Sequence, residues 1–435
     1  MRTKYAPFGS LPLLLLAASY AAVAQLGAQQ PRHEAIPRAL TLDRAREIAR
    51  AVAPELIAAR EAVAVATARE RQAGAIPNPV AAYSREQTSG GGVTNSQNIG
   101  TLEQRIEIGG QRSARRTVAE AQRAAAEARV EVAGARLDYD VAHAYALAMA
   151  AERRASAIES AAGVFAKATQ VSRARLTGGD ISGYDHRRLT LEATRYAALR
   201  AEATAARRST RSALGILLSD GTTAALPEDV VLVDTVPFAA PHVTLDSAVA
   251  LALARRAELR ALGLDARAAL AEADLARRER RPTPALTAGF KSERVGVDEQ
   301  TSSGFVAGVS IPLPIWDRRA GAIEAAAAES RRRTAEADVA RRQTVREVTE
   351  AYVAQQALAQ QLDTLRAALG VQAAPAVRAA QVSYTEGEMS LLAWLDAVRT
   401  YQDAELTYTR LLADYMTSRA ALERAVGVSL RESAR

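Results

Sequence analysis

The sequence has no cysteine, few aromatic residues and no long apolar run beyond its first 24 residues. The absence of cysteine excludes disulfides and thiolate metal sites. With 49% hydrophobic but only 4% aromatic residues, the alanine-rich chain suits close-packed helices better than a thick globular interior. Nothing after residue 24 reaches the roughly 18 uninterrupted apolar residues of a membrane helix. If the mature chain crosses a membrane, it therefore does so with strands.

Lysine is scarce as well. Lys4, Lys167 and Lys291 are the only lysines, so the net charge of +7 rests on arginine. Acidic residues are interspersed with the arginines along the same predicted helices, and no aromatic-basic patch accompanies them, so nucleic-acid binding is not expected. No carboxylate pair, nucleophile-histidine arrangement or phosphate loop is present in a suitable structural context. We therefore expect no catalytic residue, no cofactor and no enzyme activity.

The first residues have the form of a targeting segment. Residues 1–24 combine a basic start, an apolar run from Leu11 to Ala22 and the small-residue sequence Ala22-Val23-Ala24, which together predict a secretory signal peptide. No cysteine follows the apolar run, so no N-terminal lipid anchor is expected. The mature chain is predicted to begin near Gln25 with a linker over residues 25–40.

One unit is repeated after about 205 residues. The two copies share a collinear series of matches whose offset drifts only from 203 to 208 residues: Thr41-Leu42-Asp43 with Thr244-Leu245-Asp246, Pro77-Asn78-Pro79 with Pro282-Thr283-Pro284, and Gly179-Asp180-Ile181-Ser182 with Gly387-Glu388-Met389-Ser390. We predict repeat 1 at 41–217, a linker or equatorial segment at 218–243, repeat 2 at 244–427 and a tail at 428–435. Each repeat is predicted to run helix, β-hairpin, very long helix, shorter helix.

The long helices are the clearest elements. No proline occurs between Pro79 and Pro227, and the stretch from Gln111 to about Thr177 predicts one helix on the order of 100 Å long. A heptad seam of small and apolar residues from Val118 to Met149 is typical of a coiled coil. A glycine-containing tip and a capping serine follow each long helix. Pro375 should kink the second long helix, a feature that the first copy lacks.

Two stretches in each copy alternate apolar and polar residues, as strands do. The predicted strands are Val80 to Glu86, Ile99 to Ile108, Ala285 to Glu293 and Ser303 to Ile311, with loops at Thr88 to Gln97 and Arg294 to Ser302. Four strands cannot close a barrel, and open sheet edges in hydrocarbon leave unpaired backbone groups that each cost several kcal/mol. Two chains would supply eight strands and a filled lumen, whereas three supply twelve and room for a water-filled passage. A trimer therefore fits a conduit.

The arrangement resembles the TolC-type outer-membrane efflux duct family over essentially the whole mature chain. The resemblance rests on the paired Pro-x-Pro segments, on Ile106-Glu107-Ile108-Gly109-Gly110-Gln111-Arg112 and on Ile311-Pro312-Leu313-Pro314-Ile315-Trp316-Asp317-Arg318. The first of these two junctions is similar to the Glu-x-Gly-Gly-Lys-Arg stretch of the heavy-metal branch, with Gln111 where lysine is usual.

The resemblance implies a mainly α protein with transmembrane β structure. Each protomer would contribute four strands to a trimeric 12-stranded barrel in outer-membrane lipid, and long antiparallel helices to a helical barrel across the periplasm. The homotrimer would dock through its helical tips onto a periplasmic adaptor and an inner-membrane pump. It would conduct metal cations or drugs passively, with cations favoured, while the pump supplies the energy.

Particular residues match family positions. Asp396 resembles an aspartate of the narrow periplasmic aperture, where it would form a ring of three carboxylates; the alternative is a solvated charge beside a helix start. Many relatives have a second acidic residue three positions before this aspartate, and Ala393 occupies that position here. Asp185 matches a position that makes a gating salt bridge in relatives, with Arg187 or Arg188 as its partner.

The remaining candidates lie at the tips and on the wet face of the strands. The tip residues resemble adaptor-docking ends, although turn chemistry alone also demands glycine: Gly178, Gly179, Asp180, Gly387 and Glu388. The candidate lumen residues are charges of the kind that any water-filled barrel carries: Glu103, Arg105 and Glu107. Trp316 is expected at the membrane interface, and Trp394 in the packing of the tip.

A dedicated metal site is not expected. The four histidines are not spaced as ligand pairs, and no cysteine or methionine cluster supplements them. His186 beside Asp185 is the best single candidate. Two other functions stay open: a periplasmic adaptor, which would flank one helical hairpin with polar β domains, and a structural coiled coil, which would have no membrane strands.

Overall fold

A computed structural model describes residues 36–90, 93–220, 226–233, 243–295, 300–369 and 374–428. These residues belong to one unit that begins at Ile36. The predicted signal peptide at 1–24, most of the linker predicted at 25–40 and the tail beyond Val428 lie outside the described residues.

The same order of elements occurs in both copies of the unit. The helices are α1 Leu42–Val52, α2 Pro54–Ala73, α3 Gln111–Gly178, α4 Gly183–Leu217, α5 Leu245–Arg255, α6 Ala257–Arg278, α7 Ala320–Ala368, α8 Ala374–Glu386 and α9 Leu391–Val426. The strands are β1 Ala39–Leu40, β2 Val80–Gly90, β3 Val93–Arg105, β4 Val231–Leu232, β5 Ala285–Val295 and β6 Gln300–Ser310. Of the helices in the described ranges, none is both long and apolar enough to cross a membrane.

Each copy opens with two helices where the sequence predicts one. The Thr41 hydroxyl caps α1 by accepting the Arg44 N–H at 3.2 Å. The helix then ends at Ala53, whose backbone is extended, and Pro54 begins α2 because proline is favoured at the first helical position. In the second copy the same break falls at Arg256 (φ −62°, ψ 121°) without a proline. The prediction of a single first helix is therefore wrong in both copies.

Tertiary contacts explain the break at Arg256. Helix α9 ends at Gly427 in the left-handed region (φ 82°), and a Cβ built there would lie 2.9 Å from the Arg256 Cα. The Arg256 guanidinium is ion-paired with Glu258 and, at 2.7 Å, with Glu347 of α7. It also donates to the Thr344 hydroxyl at 3.3 Å. The end of α9 thus packs on non-helical backbone that these polar contacts hold against α7.

The two long helices differ. Helix α3 runs without interruption for 68 residues, about 100 Å, which confirms the prediction. In the second copy, α7 ends at Ala368 and α8 begins at Ala374, with residues 370–373 outside the described part. Pro375 is the second residue of α8, where its missing N–H is not needed. The proline therefore lies at the start of a separate helix and does not kink a continuous one.

Small side chains dominate the core around α3. Tyr145 is fully buried, and its hydroxyl donates to the Leu40 carbonyl at 2.9 Å. The predicted heptad seam accounts for only some of the buried positions of α3. Val132 and Tyr139 belong to the seam but are half-buried, whereas Val141 does not belong to it and is fully buried. Helix α3 contacts α2, α4, α6 and α9, so it buries more than one stripe.

Arg211 ties the segment between the repeats to the helices. Its buried guanidinium, on α4, is ion-paired with Glu152 of α3 and donates to the carbonyls of Pro227 and Val230. Strand β4 then pairs in parallel with β1. The sequence predicts only a linker at 218–243, because strands of two residues have no periodic signal.

Strands β2, β3, β5 and β6 form one antiparallel sheet in that order. The pairing of β3 with β5 joins the two copies, with Ile99 opposite Lys291. The strands extend farther toward their turns than predicted: residues 88–90 pair with 93–95, and residues 294–295 pair with 300–301. Polar side chains support this extension through cross-strand bonds such as Ser89 to Thr94 at 3.2 Å. The predicted loops are therefore too long.

The structure predicts different costs for alanine at two left-handed glycines. Gly387 (φ 86°) and Gly427 (φ 82°) share this conformation, but only Gly427 has backbone beside the missing Cβ. Gly387→Ala should cost about 1 kcal/mol of conformational strain, and Gly427→Ala should cost clearly more because Arg256 must move. Thermal unfolding of both purified variants, followed by circular dichroism, measures the difference. Equal shifts in the two variants would contradict the proposed contact.

Candidate conduit and helical tips

The sheet has two chemically different faces, because alternate side chains point to opposite sides. Its apolar face, near the helices, comprises Ala81, Tyr83, Leu102, Leu286, Ala288, Phe290, Phe305, Ala307 and Val309. The other face carries most of the charged side chains of the strands: Glu86, Glu103, Arg105, Lys291 and Glu293. On that face Lys291 pairs with Glu293 at 3.1 Å. A sheet with these two faces can separate lipid from water.

Two of the three candidate lumen residues lie on the charged face. Glu103 and Arg105 are in β3 and share that face. Glu107 follows the end of β3, so it does not belong to the sheet, and the strand predicted to reach Ile108 is too long. The Glu107 carboxylate accepts two hydrogen bonds from Arg115, at 2.5 and 2.8 Å, and these bonds hold the pKa of Glu107 below its usual value.

The junction before α3 explains why glutamine suits position 111. The buried Gln111 amide accepts the Gly109 N–H at 2.9 Å and donates to the Arg281 carbonyl at 3.2 Å. Arg281 donates in return to the Gly109 carbonyl at 3.2 Å. A Cβ at Gly109 would lie 2.9 Å from the Arg281 side chain, so only glycine fits. An amide serves both as donor and as acceptor here, which a lysine cannot do.

The sheet ends in two edges within the described residues. Strand β2 pairs only with β3, and β6 pairs only with β5. Each edge strand is 11 residues long, and in the described part of the chain no other strand pairs with its outer side. Long uncovered edges of this kind readily pair with another chain.

The two helical tips have the same construction. Gly179 (φ 86°) ends α3 and Gly387 (φ 86°) follows α8, so the predicted tips are present, and both glycines are in the left-handed conformation that glycine adopts readily. The Ser182 hydroxyl then caps α4 by accepting the Asp185 N–H at 3.1 Å, and the Ser390 hydroxyl caps α9 in the same way. The exposed residues of the tips include the candidate docking positions Gly178, Gly179, Asp180, Gly387 and Glu388.

An aromatic cluster fixes the two tips beside each other. Phe165 of α3 stacks on Tyr196 of α4 at 4.5 Å and meets Trp394 of α9 at 5.9 Å. Trp394 in turn stacks on Tyr384 of α8 at 4.9 Å. Burial raises the pKa of the Tyr196 phenol. Trp394 therefore packs the tip, as the sequence predicts, and links helices of both copies.

The candidate aperture residues have different surroundings. Asp396 is exposed, although Trp394 just before it is buried. Asp185 is half-buried and accepts a hydrogen bond from the Ser182 hydroxyl at 2.8 Å. In the described part of the chain Asp185 makes no ion pair with Arg188, so within one protomer the structure does not bring these two together.

A buried ion pair near the tips was not predicted from the sequence. Glu192 of α4 is only 6% exposed, and its carboxylate is paired with Arg399 of α9. Arg195 lies 3.8 Å from the other oxygen of the same carboxylate. Glu192 and Arg399 are 207 residues apart in a chain rich in both types, so no spacing rule connects them. Together with the aromatic cluster, this pair holds α9 against α4.

The described residues contain no group of three or more histidine, aspartate or glutamate side chains arranged for a metal ion. His186, the best single candidate, lies with its Nδ1 2.8 Å from the Ser172 hydroxyl. This contact gives His186 a structural role in packing α3 against α4.

Comparison with known proteins agrees with this architecture. A family model described as outer membrane efflux protein matches residues 248–428. The cobalt-zinc-cadmium resistance protein CzcC of Cupriavidus metallidurans is 28% identical over 402 residues, which cover 91% of this chain and 92% of that protein.

Solved structures share the fold. A membrane protein from Pseudomonas aeruginosa matches with a TM-score of 0.73 at 21% identity, covering 89% of this chain and 90% of that chain. The outer membrane protein VceC from Vibrio cholerae matches with a TM-score of 0.70 at 20% identity, covering 89% and 96%. The second copy thus matches the outer membrane efflux protein model, CzcC is similar over nearly the whole chain, and the chain shares its fold with these two membrane proteins.

Proposed function

We propose that this chain is an outer-membrane efflux protein of the TolC type and forms a homotrimeric conduit that passes divalent metal cations from the periplasm to the exterior. A periplasmic adaptor and an inner-membrane pump would complete the tripartite system. The observation that carries the proposal is the four-stranded sheet, which has one apolar face, one charged face and two uncovered edges. The chain would act as a passive duct, with energy supplied by the pump.

The two edges support a closed ring of protomers. Strand β2 of one protomer would pair with β6 of the next, since both are uncovered and equally long. Three such sheets supply the twelve strands of a barrel wide enough for water. The apolar face would then contact lipid, and Glu103 and Arg105 would face the lumen.

The proposed substrate class rests on CzcC, whose name describes resistance to cobalt, zinc and cadmium. The junction over 107–112 supports the same branch, and Gln111 fits it structurally because its amide closes the loop onto Arg281. The described residues hold no resident metal cluster, so the cations would pass through without a fixed site.

Asp396 is the proposed aperture residue. Its carboxylate is exposed at the start of α9, while the aromatic cluster and the Glu192–Arg399 pair hold this helix in place. Three copies around an axis would form a carboxylate ring that attracts cations. Asp185 and Arg188 of neighbouring protomers would lie near the same opening. The exposed tip residues would contact the adaptor.

Cross-linking tests the trimer, because the chain has no cysteine of its own. A variant with Ser84→Cys on β2 and Ser302→Cys on β6 should form covalent dimers and trimers with a short bis-maleimide in outer membranes. The ladder should end at three protomers because the ring closes. Either single variant serves as the control and should not extend beyond dimers. A ladder that stops at two in the double variant would contradict the trimer.

Conductance tests the aperture. In planar bilayers, Asp396→Asn should lower the cation-to-anion permeability ratio about threefold, since a ring of three charges is removed. The matched control is Asp414→Asn, an exposed aspartate on the same helix about 27 Å farther along. We expect the control to retain wild-type selectivity. An unchanged ratio in Asp396→Asn would place this carboxylate outside the constriction.

Growth tests the substrate class. A strain without this protein should tolerate less cobalt, zinc or cadmium, and the wild-type gene should restore tolerance, because the metals can no longer leave the periplasm. Minimum inhibitory concentrations for the three metals and for a panel of hydrophobic drugs measure the effect. Lost drug tolerance with unchanged metal tolerance would refute the metal proposal while leaving the duct intact.

A further inference from the structure

A charged groove of about 440 Å³ lies where the sheet meets the helices. It is bordered by the start of α3, the end of α6 and the segment after β6. Its carboxylates are already engaged: Glu107 is bound by Arg115, and Glu279 is ion-paired with Arg319 at 2.7 Å. The Asp317 carboxylate accepts the Arg319 N–H at 2.8 Å.

Arginines outnumber carboxylates in the segments that border this groove. The segments 106–116, 277–284 and 311–319 contain nine arginines and three carboxylates. Arg280 lines the groove, and Arg318 lies in the chain between Asp317 and Arg319, which also line it. Arg280 and Arg318 are both exposed, and neither forms an ion pair with any described residue. The junction therefore has guanidinium groups that no carboxylate of the described chain neutralises, and such groups bind phosphate well.

An apolar surface adjoins the groove on the sheet side. Trp316 is 92% exposed and Leu313 is 70% exposed, and both lie in the segment that follows β6. A hollow of about 720 Å³ lies on the apolar face of the sheet, with Ala288 and Ala307 among its lining residues and Leu286 at its helix end. Leu286 is only three residues beyond Thr283, which lines the charged groove.

We propose that this junction binds an anionic phospholipid of the leaflet on the helix side of the outer membrane. The phosphate would lie against Arg280 and Arg318, and an acyl chain would occupy the hollow on the apolar face. A free phosphate ion would use the arginines alone and would leave the apolar surface beside them uncovered. The juxtaposition of the two surfaces therefore favours a lipid.

Tryptophan fluorescence tests the site, because the chain has only two tryptophans. Trp394→Phe leaves Trp316 as the single reporter at the junction. The purified full-length protein is reconstituted in vesicles that contain equal fractions of phosphatidylglycerol and phosphatidylethanolamine, with bromine on the acyl chains of one or the other. Brominated phosphatidylglycerol should quench Trp316 more strongly than brominated phosphatidylethanolamine.

Charge variants made in the Trp394→Phe background identify the groove. Arg280→Gln with Arg318→Gln should reduce the preference for phosphatidylglycerol by up to about 25-fold, since each of the two basic residues near an anionic surface contributes a factor of about five. Arg280→Lys with Arg318→Lys should retain most of it. The matched control, Arg341→Gln with Arg342→Gln, removes two exposed arginines of α7 and should leave the preference unchanged.

Three results would overturn the proposal: equal quenching by the two brominated lipids, a preference that survives the glutamine pair, or a preference lost equally in the α7 control. Titration calorimetry with inorganic phosphate, on the protein in detergent, tests free phosphate as the alternative ligand. Binding that depends on Arg280 and Arg318 without any lipid preference would assign the groove to free phosphate. The cross-linking ladder is read on the same variants, so a failed trimer is distinguished from a failed lipid site.

Discussion

The unpaired edges of a four-stranded sheet are the constraint on which the rest of the structure depends. Strands β2 and β6 each expose a row of backbone donors and acceptors that hydrocarbon cannot satisfy. A second copy of the sheet would still leave a barrel too narrow for water, whereas a third gives a passage. The duplication brings β3 and β5 together, so each protomer of the proposed trimer would supply a continuous third of the barrel wall. The sheet also sets where the long helices begin, because each pair of strands leads along the chain into a long helix.

Arginine has different roles in different parts of the protein. At the breaks and linkers it holds backbone in place, as Arg256 and Arg211 do with their carboxylate and carbonyl partners. Near the tips Arg399 binds a buried glutamate and joins the two copies. At the junction of sheet and helices, exposed arginines lie beside apolar side chains, the combination expected at a lipid headgroup layer. Arginine thus stabilises breaks and linkers, joins the two repeats, and lies exposed where the sheet meets the helices.

Features encoded locally could be predicted from the sequence. The length of α3, the glycine tips, the serine caps and the alternation of the strands all depend on neighbouring residues, and each is present in the structure. Features set by distant contacts could not be predicted. The break at Arg256 depends on Gly427, and the pair of Glu192 with Arg399 joins the two copies. The aperture positions came from family resemblance, because an exposed aspartate has no local signature.

Amide hydrogen exchange of the assembled protein tests the account most directly. If neighbouring protomers pair β2 with β6, the amides of these edge strands should exchange as slowly as those of β3 and β5, because all four strands then have two neighbours. Fast exchange at about half of the β2 and β6 amides, with slow exchange in β3 and β5, would show that the edges are unpaired and would contradict the shared wall.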